Sequence, residues 1–312
     1  MSKYVFGLDV GGMSIKFGLF QDGKLIEKFS VKTSTEDGGK NILPDAIKEI
    51  KNIMEEHQID REDVLGIGIG VPGAIVNQAI AKQAVNLGWG EVNVKQTIEE
   101  ALGIKTLVAN DANVASLGEM WKGDTQGSEN IVFITLGTGV GGGIIIDGKI
   151  LEGTLGSGGE IGHFPIVDED LAWTCGCGNR RCVEQICSAS GIVNIAKHKI
   201  ETTDTPSQLR SMENFEAKDV IDLARVEDEL ASEVIETVSY YTGKLMATLA
   251  AIINPDYFII GGGVANAGDF LIDKYEREFR KLVFKGANNA KVIKAKLGND
   301  AGIYGACKLI LG

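Results

Sequence analysis

The sequence lacks an excess of positive charge. Its 31 lysines and arginines are outnumbered by 43 aspartates and glutamates, so the 312 residues carry a formal net charge of −12. A nucleic-acid-binding protein needs a basic face to neutralise phosphates, and this charge balance therefore argues against a nucleic-acid partner. It does not argue against a single nucleotide, which needs only a local anion site and a metal ion.

Long apolar runs are also missing. No stretch approaches the ~20 uninterrupted apolar residues of a membrane-spanning helix, so no membrane partner is expected. The first residues carry no long apolar segment before Asp9 interrupts them, and no secretory signal is predicted. We therefore expect a cytoplasmic protein.

Cysteines are few and odd in number. Three of the five crowd together at Cys175, Cys177 and Cys182, which fits a metal site in a reducing compartment better than a disulfide framework. Cys187 and Cys307 lie outside this pattern and are expected to be packing residues.

Glycine, by contrast, is abundant, with 41 residues where ~7% of a chain is usual. Many glycines follow apolar segments in short runs, which predicts backbone turns that approach a ligand. One such pattern occurs twice, in residues 5–25 and 132–150. Each copy reads as an apolar strand, a glycine turn, a second strand and an Asp-Gly hairpin, which predicts a duplicated fold with one copy per domain.

Each copy also has a later partner strand, Leu65–Val71 in the first half and Asp256–Ile260 in the second, and each strand ends in a glycine turn. Helical patterns lie between these strands, at Ile42 to Glu56 and from about Glu227 to Ile253. Alternating strands and helices predict an α/β class with central sheets, and two such halves would leave a cleft lined by glycine turns.

Gly137, Gly139 and Gly142 form a literal G-x-G-x-x-G. A dinucleotide fingerprint requires a helix directly after the glycines, whereas here Ile144-Ile145-Ile146 predicts a strand. The pattern instead indicates a strand-turn-strand unit that offers backbone N–H groups to a phosphate.

Two aspartates follow predicted strands. Asp9 stands before Gly11-Gly12 and could hold Mg²⁺ while Ser14 or Lys16 faces phosphate; the alternative is an aspartate that caps a turn. Asn110-Asp111 suits orientation of a hydroxyl and removal of its proton, and the alternative there is a helix N-cap.

The third candidate site combines Gly159-Glu160-Ile161-Gly162-His163 with the cysteine cluster and Glu184. Three thiolates and one imidazole match a closed tetrahedral zinc site, which would hold both glutamates beside it. The alternative is three free thiols and a histidine satisfied by other contacts.

These segments closely resemble the ROK family (repressor, open reading frame, kinase) and, within it, bacterial glucokinases. The resemblance runs from end to end and rests on Leu8-Asp9-Val10-Gly11-Gly12, Gly70-Val71-Pro72-Gly73, Asn86-Leu87-Gly88-Trp89, Asn110-Asp111-Ala112-Asn113, Leu136-Gly137-Thr138-Gly139, Gly159 to His163 and the cysteine cluster.

The resemblance implies an actin-like ATPase (ribonuclease H-like) α/β fold, with two domains that close over Mg-ATP and a sugar. We expect a small domain at 1–113 plus 299–312 and a large domain at 114–298. The resemblance also implies a homo-oligomer, either a dimer or a tetramer.

The resemblance also implies roles for individual residues. Asp111 is the expected catalytic base. The sugar site is expected to comprise Gly73, Asn86, Asn110, Asp111, Glu160, His163 and Glu184. The nucleotide is expected to face Asp9, Gly11, Gly12, Ser14, Lys16, Thr138, Gly139, Gly261, Gly262 and Gly263. Structural zinc is expected on His163, Cys175, Cys177 and Cys182, so that His163 serves both metal and sugar.

Two positions depart from the family pattern. Met13 stands where a threonine is usual, so one hydroxyl near phosphate is lost. Arg181 replaces a glycine before the third cysteine, and if that position needs a positive φ, arginine costs ~1 kcal/mol or more.

The implied activity is transfer of the γ-phosphoryl group of ATP to a hexose, with the 6-hydroxyl of glucose as the expected acceptor. N-acetylmannosamine, N-acetylglucosamine and fructose are alternative acceptors, since pocket contacts decide among them. A sugar-sensing repressor or a non-catalytic sugar-binding protein is the alternative from another class. The first is disfavoured by the strand expected from Tyr4, which leaves no room before it for a DNA-binding domain, and by the acidic charge.

Overall fold

The structure is a computed structural model that describes residues 3–168 and 173–312. The strands are β1 (Tyr4–Val10), β2 (Ser14–Gln21), β3 (Lys24–Lys32), β4 (Val64–Val71), β5 (Ile75–Val76), β6 (Ile80–Ala81), β7 (Val92–Asn93), β8 (Thr106–Asn110), β9 (Ile131–Leu136), β10 (Val140–Ile146), β11 (Lys149–Ile150), β12 (Tyr257–Gly261) and β13 (Lys291–Lys294). The helices are α1 (Glu36–Gly39), α2 (Ile42–Glu56), α3 (Val94–Leu102), α4 (Asp111–Lys122), α5 (Glu184–Cys187), α6 (Ala189–Thr202), α7 (Ala217–Arg225), α8 (Glu229–Ile253), α9 (Asp269–Leu282) and α10 (Ala301–Leu311).

The first sheet has the strand order β3-β2-β1-β4-β8. β1, β2 and β3 form an antiparallel meander, and β4 and β8 continue the sheet in parallel with β1. Asp22 and Gly23 join β2 to β3 with φ angles of 49° and 74°, as a tight hairpin with two left-handed residues requires. The two middle strands, β1 and β4, are apolar and almost wholly buried, because helices cover the sheet.

The second sheet has the order β11-β10-β9-β12-β13. Each of its strands corresponds to one strand of the first sheet, in the same order. β9, β10 and β11 correspond to β1, β2 and β3, and the hairpin at Asp147-Gly148 has φ angles of 50° and 73°. β12 pairs in parallel with both β9 and β13. The duplication that the repeated sequence pattern predicts is therefore present in the topology.

The glycines at 137–142 lead into β10, a strand, and not into a helix. The rejection of a dinucleotide fingerprint on sequence context is confirmed by this element.

Both helices expected from apolar periodicity are present. α2 spans Ile42–Glu56 as predicted and buries residues spaced three or four apart, namely Ile42, Ala46, Ile50 and Ile53. α8 ends at Ile253, and Asn254 follows it in the left-handed conformation with φ 50°. Pro255 comes next and cannot continue the helix.

The chain forms two compact units. The first comprises Met1–Glu129, Gly143–Gly159 and Lys296–Gly312, and the second comprises Asn130–Gly142 and Glu160–Ala295. In the first unit, α2 and α3 contribute to a core with β1, β2 and β4, while α10 packs against β1, β4 and α4. These units are groups of residues that contact one another and do not test the domain bounds expected from the sequence. The bounds 1–113 plus 299–312 and 114–298 stay a prediction.

The small sheet β5-β6-β7 lies in the first unit and carries the chain between β4 and α3. Across residues 3–168 and 173–312, none of the helices has both the length and the apolar character needed to cross a bilayer.

Candidate functional site

Asp9 and Asp111 lie at the same edge of the first sheet. Asp9 of β1 is opposite Gly70 of β4, and Gly70 is opposite Ala109 of β8, two residues before Asp111. Strands that neighbour each other lie about 4.8 Å apart and rise about 3.3 Å per residue, so two strand spacings and two residues separate the aspartates by roughly 12 Å. The carboxyl ends of parallel strands thus bring both acidic residues to one place.

Asn110 is the N-cap of α4. Its side-chain oxygen accepts hydrogen bonds from the backbone N–H groups of Ala112 (2.9 Å) and Asn113 (3.1 Å). The helix-cap interpretation of Asn110 is therefore correct as a description of its contacts. Asp111 is the first residue of the helix, where the helix dipole favours a negative charge.

The Asn110 side chain also fixes the turn after β4. Its amide nitrogen donates to the carbonyl oxygen of Gly73 at 3.1 Å. Gly73 has a φ of 90°, and a Cβ atom there would lie 2.1 Å from the carbonyl oxygen of Gln83. Only glycine fits this turn, because any side chain would be strained and would clash with backbone.

The first glycine turn lies beside the segment that carries Asn86. A Cβ atom at Gly12 would lie 3.0 Å from the carbonyl oxygen of Asn86, which belongs to the short helical turn Val85–Leu87. The turn is closed by a hydrogen bond from Gly11 N to Ser14 O at 3.0 Å. Met13, at its tip, is 88% exposed.

Lys16 lies opposite Asp9 in the β1–β2 pair and forms an ion pair with it. The distance from Lys16 Nζ to Asp9 Oδ2 is 3.0 Å. The Asp9 side chain is 20% exposed, so its carboxylate oxygens are partly accessible. A carboxylate of this kind is a ligand type that Mg²⁺ accepts while it keeps several waters.

In the second unit, the proposed zinc ligands lie together. One ligand atom from each of His163, Cys175, Cys177 and Cys182 lies within 4.8 Å of the others. Cys175 Sγ is 3.5 Å from His163 Nδ1, and Cys177 Sγ is 3.7 Å from Cys182 Sγ. Three sulfurs and one ring nitrogen at these separations fit a tetrahedral zinc ion.

The local environment of the three thiols differs. Burial raises the pKa of the Cys182 thiol to about 12, whereas a backbone hydrogen bond from Asn179 lowers the pKa of the exposed Cys177 thiol. Metal binding would have to deprotonate the buried Cys182 thiol, which a coordinated zinc ion does. Arg181, next to Cys182, has a φ of 67° and so occupies the left-handed region.

Glu184 joins the Cys/His cluster to the start of β10, directly after the second glycine turn. One of its carboxylate oxygens accepts a hydrogen bond from the backbone N–H of Val140 at 3.0 Å. The other accepts a hydrogen bond from the thiol of Cys175, with Sγ at 3.4 Å. Glu160 is exposed and precedes the short helical turn Ile161–His163. Glu160, His163 and Glu184 belong to the second unit, whereas Gly73, Asn86, Asn110 and Asp111 belong to the first.

The second unit also contains a large cavity of about 960 Å³. Two of the residues predicted to face a nucleotide line this cavity. They are Thr138, which follows β9, and Gly263, which follows β12. A cavity of this size is large enough for a nucleotide.

Sequence reasoning missed the other walls of this cavity. They come from the start of α6, from α7 and from the helical turn Val264–Ala267. α7 reads as an ordinary amphipathic surface helix, so no local motif marks it. The strand order of the second sheet brings these elements together, and this order cannot be predicted from a local sequence pattern.

The ROK family model matches residues 5–312. A glucokinase of Halalkalibacterium halodurans is 39% identical over 315 residues, which is 99% of this chain and 95% of that relative. A glucokinase of Streptomyces coelicolor is 32% identical over 314 residues, covering 97% of this chain and 96% of the relative. Among solved structures, a ROK family glucokinase from Streptomyces griseus in complex with glucose and AMPPNP is 32% identical, with a TM-score of 0.76 and 98% coverage of both chains.

These matches confirm the family resemblance and the predicted fold class, an α/β actin-like ATPase fold.

Proposed function

This chain belongs to the ROK family, and from that premise we propose that it is a cytoplasmic, ATP-dependent kinase that phosphorylates a hexose, with glucose as its preferred acceptor. The observation that carries the proposal is the position of Asp9 and Asp111 at one sheet edge in a chain whose relatives are glucokinases. In a phosphoryl transfer to a sugar, one of these carboxylates would serve the acceptor hydroxyl and the other the metal ion.

Asp111 is the proposed catalytic base. The acceptor hydroxyl loses its proton late in a loose phosphoryl-transfer transition state, so an ordinary carboxylate suffices. Asn110, held by its cap hydrogen bonds and by Gly73, is proposed to orient the sugar. Gly73, Asn86, Glu160, His163 and Glu184 complete the proposed sugar contacts.

Asp9 is the proposed carboxylate for Mg²⁺, which supplies charge neutralisation on the phosphates when it is bound. Gly11, Gly12, Ser14 and Lys16 are proposed to face phosphate, as are Thr138 and Gly139. The Gly261-Gly262-Gly263 turn and the second-unit cavity are proposed to hold the nucleoside, which is supported by the cavity's volume of about 960 Å³.

The proposal includes a structural zinc ion on His163, Cys175, Cys177 and Cys182. Four protein ligands leave no open position, so this ion would hold loops and take no part in the chemistry. His163 Nδ1 is the ring nitrogen near Cys175, which supports the idea that the second ring nitrogen serves the sugar.

The proposal is tested with an assay coupled to ADP release against a panel of hexoses. We expect turnover with ATP, highest for glucose, and a 6-phosphate product identified by NMR. The panel includes N-acetylmannosamine, N-acetylglucosamine and fructose as alternative acceptors. Absence of sugar-dependent ADP release across the panel would refute the kinase proposal.

Replacing the base gives a sharper test. We expect Asp111→Ala to lower kcat by a factor of about 10²–10⁴, since the general base is lost, while calorimetry still detects glucose binding. Asp269→Ala is the matched control, because Asp269 is likewise the first residue of a helix, α9, and is exposed. If Asp111→Ala kept more than a few per cent of the activity (about 5% of the wild-type kcat), the assignment of the base would be wrong.

A further inference from the structure

Glu119 is a buried carboxylate with no part in the proposed chemistry. It lies in α4, the helix that begins at Asp111, and it is 1% exposed. Its two oxygens accept the backbone N–H groups of Lys296 (3.0 Å) and Leu297 (2.7 Å). Burial raises the pKa of this carboxyl, and the two N–H groups act in the opposite direction. A buried acidic group is costly unless such partners satisfy it. The two hydrogen bonds therefore hold the backbone at Lys296 and Leu297 to α4.

The chain that Glu119 holds leads directly to Asp9. Residues 296–302, here called the strap, connect the two N–H groups to the first turn of α10. Within the strap, the carbonyl oxygen of Asn299 accepts a hydrogen bond from Lys16 Nζ at 3.2 Å. The same Nζ atom forms the 3.0 Å ion pair with Asp9. The strap therefore helps to set the position of the cation that neighbours Asp9.

The far end of the strap touches Asp9 itself. A Cβ atom at Gly302 would lie 2.6 Å from Cγ of Asp9 and 2.8 Å from its Oδ2. The Asp9 carboxylate is thus in contact with the backbone of α10 at a position where there is no room for a methyl group. Asp300, beside it, is fixed by Lys28, with 2.5 Å between Nζ and Oδ2.

We propose that Glu119 is a positioning residue for Asp9, acting through the strap that it anchors. Two contacts transmit the effect, namely Asn299 to Lys16 and Gly302 to Asp9. The inference rests on the proposed function, because it assumes that the Asp9 carboxylate serves the metal-bound nucleotide.

The first test is Glu119→Gln. The amide replaces one acceptor oxygen with an NH₂ group that faces a backbone N–H, so one anchor bond is lost and two donors oppose each other. We expect kcat for sugar phosphorylation to fall about tenfold or more, because small displacements of a reacting group are costly. The KM for glucose should stay within about twofold, since the strap contacts Glu119, Lys16 and Asp9, which are not among the proposed sugar contacts.

Asp124→Asn is the matched control. Asp124 pairs with the side chain of the same strap residue, Lys296, at 2.5 Å, but both side chains are more than half exposed. An exposed pair of this kind contributes little, so this variant should keep the wild-type kcat. The comparison separates an effect of the buried anchor from any effect of contacts to the strap in general.

A second readout does not require turnover. Calorimetry of ATP binding with Mg²⁺ and with EDTA gives the gain in affinity that the metal provides. We expect this gain to shrink in Glu119→Gln and to be unchanged in Asp124→Asn. A wild-type protein that binds MgATP but phosphorylates no hexose would refute the proposed function, while this measurement still tests the inference.

The decisive experiment is a cycle with Asp9→Asn. If Glu119 acts through Asp9, Glu119→Gln should cause no further loss of kcat in the Asp9→Asn background. If it lowers kcat by the same factor in both backgrounds, or lowers only the melting temperature, the inference is wrong. Should Glu119→Gln fail to fold, Gly302→Ala displaces Asp9 from the other end of the strap and must give the same losses of kcat and of metal-dependent affinity; wild-type values for both would overturn the inference.

Discussion

At the scale of single residues, Arg181 occupies a backbone conformation that the structure reveals and the sequence does not. The sequence identifies it only as an arginine before the third cysteine, at a position where the family resemblance implies glycine. The structure adds a φ of 67°, in the region that costs a residue with a Cβ atom about 1 kcal/mol or more. The arginine therefore carries backbone strain beside the buried Cys182.

We predict that Arg181→Gly raises the free energy of unfolding by about 1 kcal/mol, because glycine adopts this φ without the steric cost. Urea unfolding followed by circular dichroism measures the change. Arg181→Ala is the control, since alanine removes the same side chain but keeps the Cβ atom that makes a φ of 67° costly. An equal gain from both variants would show that strain is not the cause.

At the scale of elements, α8 depends on a cap that precedes it. Asp228 accepts the backbone N–H of Ala231 (3.1 Å) and that of Gln208 (2.8 Å), so it holds both the helix start and the segment before α7. Burial alone would raise the pKa of this carboxyl, but the hydrogen bonds from Gln208, Ser207 and Ala231 outweigh burial and lower it.

We predict that Asp228→Ala lowers the free energy of unfolding by about 1 kcal/mol, the usual effect of a lost N-cap. Asp228→Asn keeps an acceptor oxygen and should lose less. Because the folded-state pKa of Asp228 is depressed, the advantage of the wild type over Asp228→Asn is present above the unfolded pKa of ~3.9 and disappears as the pH falls through the folded value. Thermal unfolding of both variants between pH 3 and pH 7 checks this, and a constant difference over that range (about 3 to 7) would contradict it.

Elements differ in how far their own sequence defines them. α2 and α8 were predicted closely, because apolar residues recur at helical spacing and Pro255 ends the second pattern. The two Asp-Gly hairpins were equally clear, since their φ angles need residues of this type. The role of α7 as a cavity wall was not predicted, because it depends on neighbours that are distant in sequence.

At the scale of the whole molecule, the Cys/His cluster brings together segments that are separated in the chain. His163 ends a short helical turn, and the cysteines come 12 to 19 residues later. A metal ion bound there would add its binding free energy to the folded state.

We predict that the protein purified under reducing conditions contains about one zinc ion per chain and that a chelator lowers its melting temperature by several degrees. Elemental analysis and calorimetry measure the two effects. Cys177→Ser should lose the ion without disturbing the core, because Cys177 is exposed, whereas Cys307→Ala should keep it. Wild-type zinc content in Cys177→Ser would exclude this ligand set.

The sequence by itself determined the strands of the repeated pattern, the two Asp-Gly hairpins, α2, α8 and the family, because periodicity, turn residues and short motifs act over a few neighbouring positions. Only the tertiary structure decided that Asp9 and Asp111 share a sheet edge, that Asn110 caps a helix while it holds Gly73, and that Glu119 anchors the strap behind Asp9. These contacts join residues that lie up to almost 300 positions apart, such as Lys16 and Asn299 with a separation of 283. They depend on strand order and on close backbone packing, which no local pattern encodes.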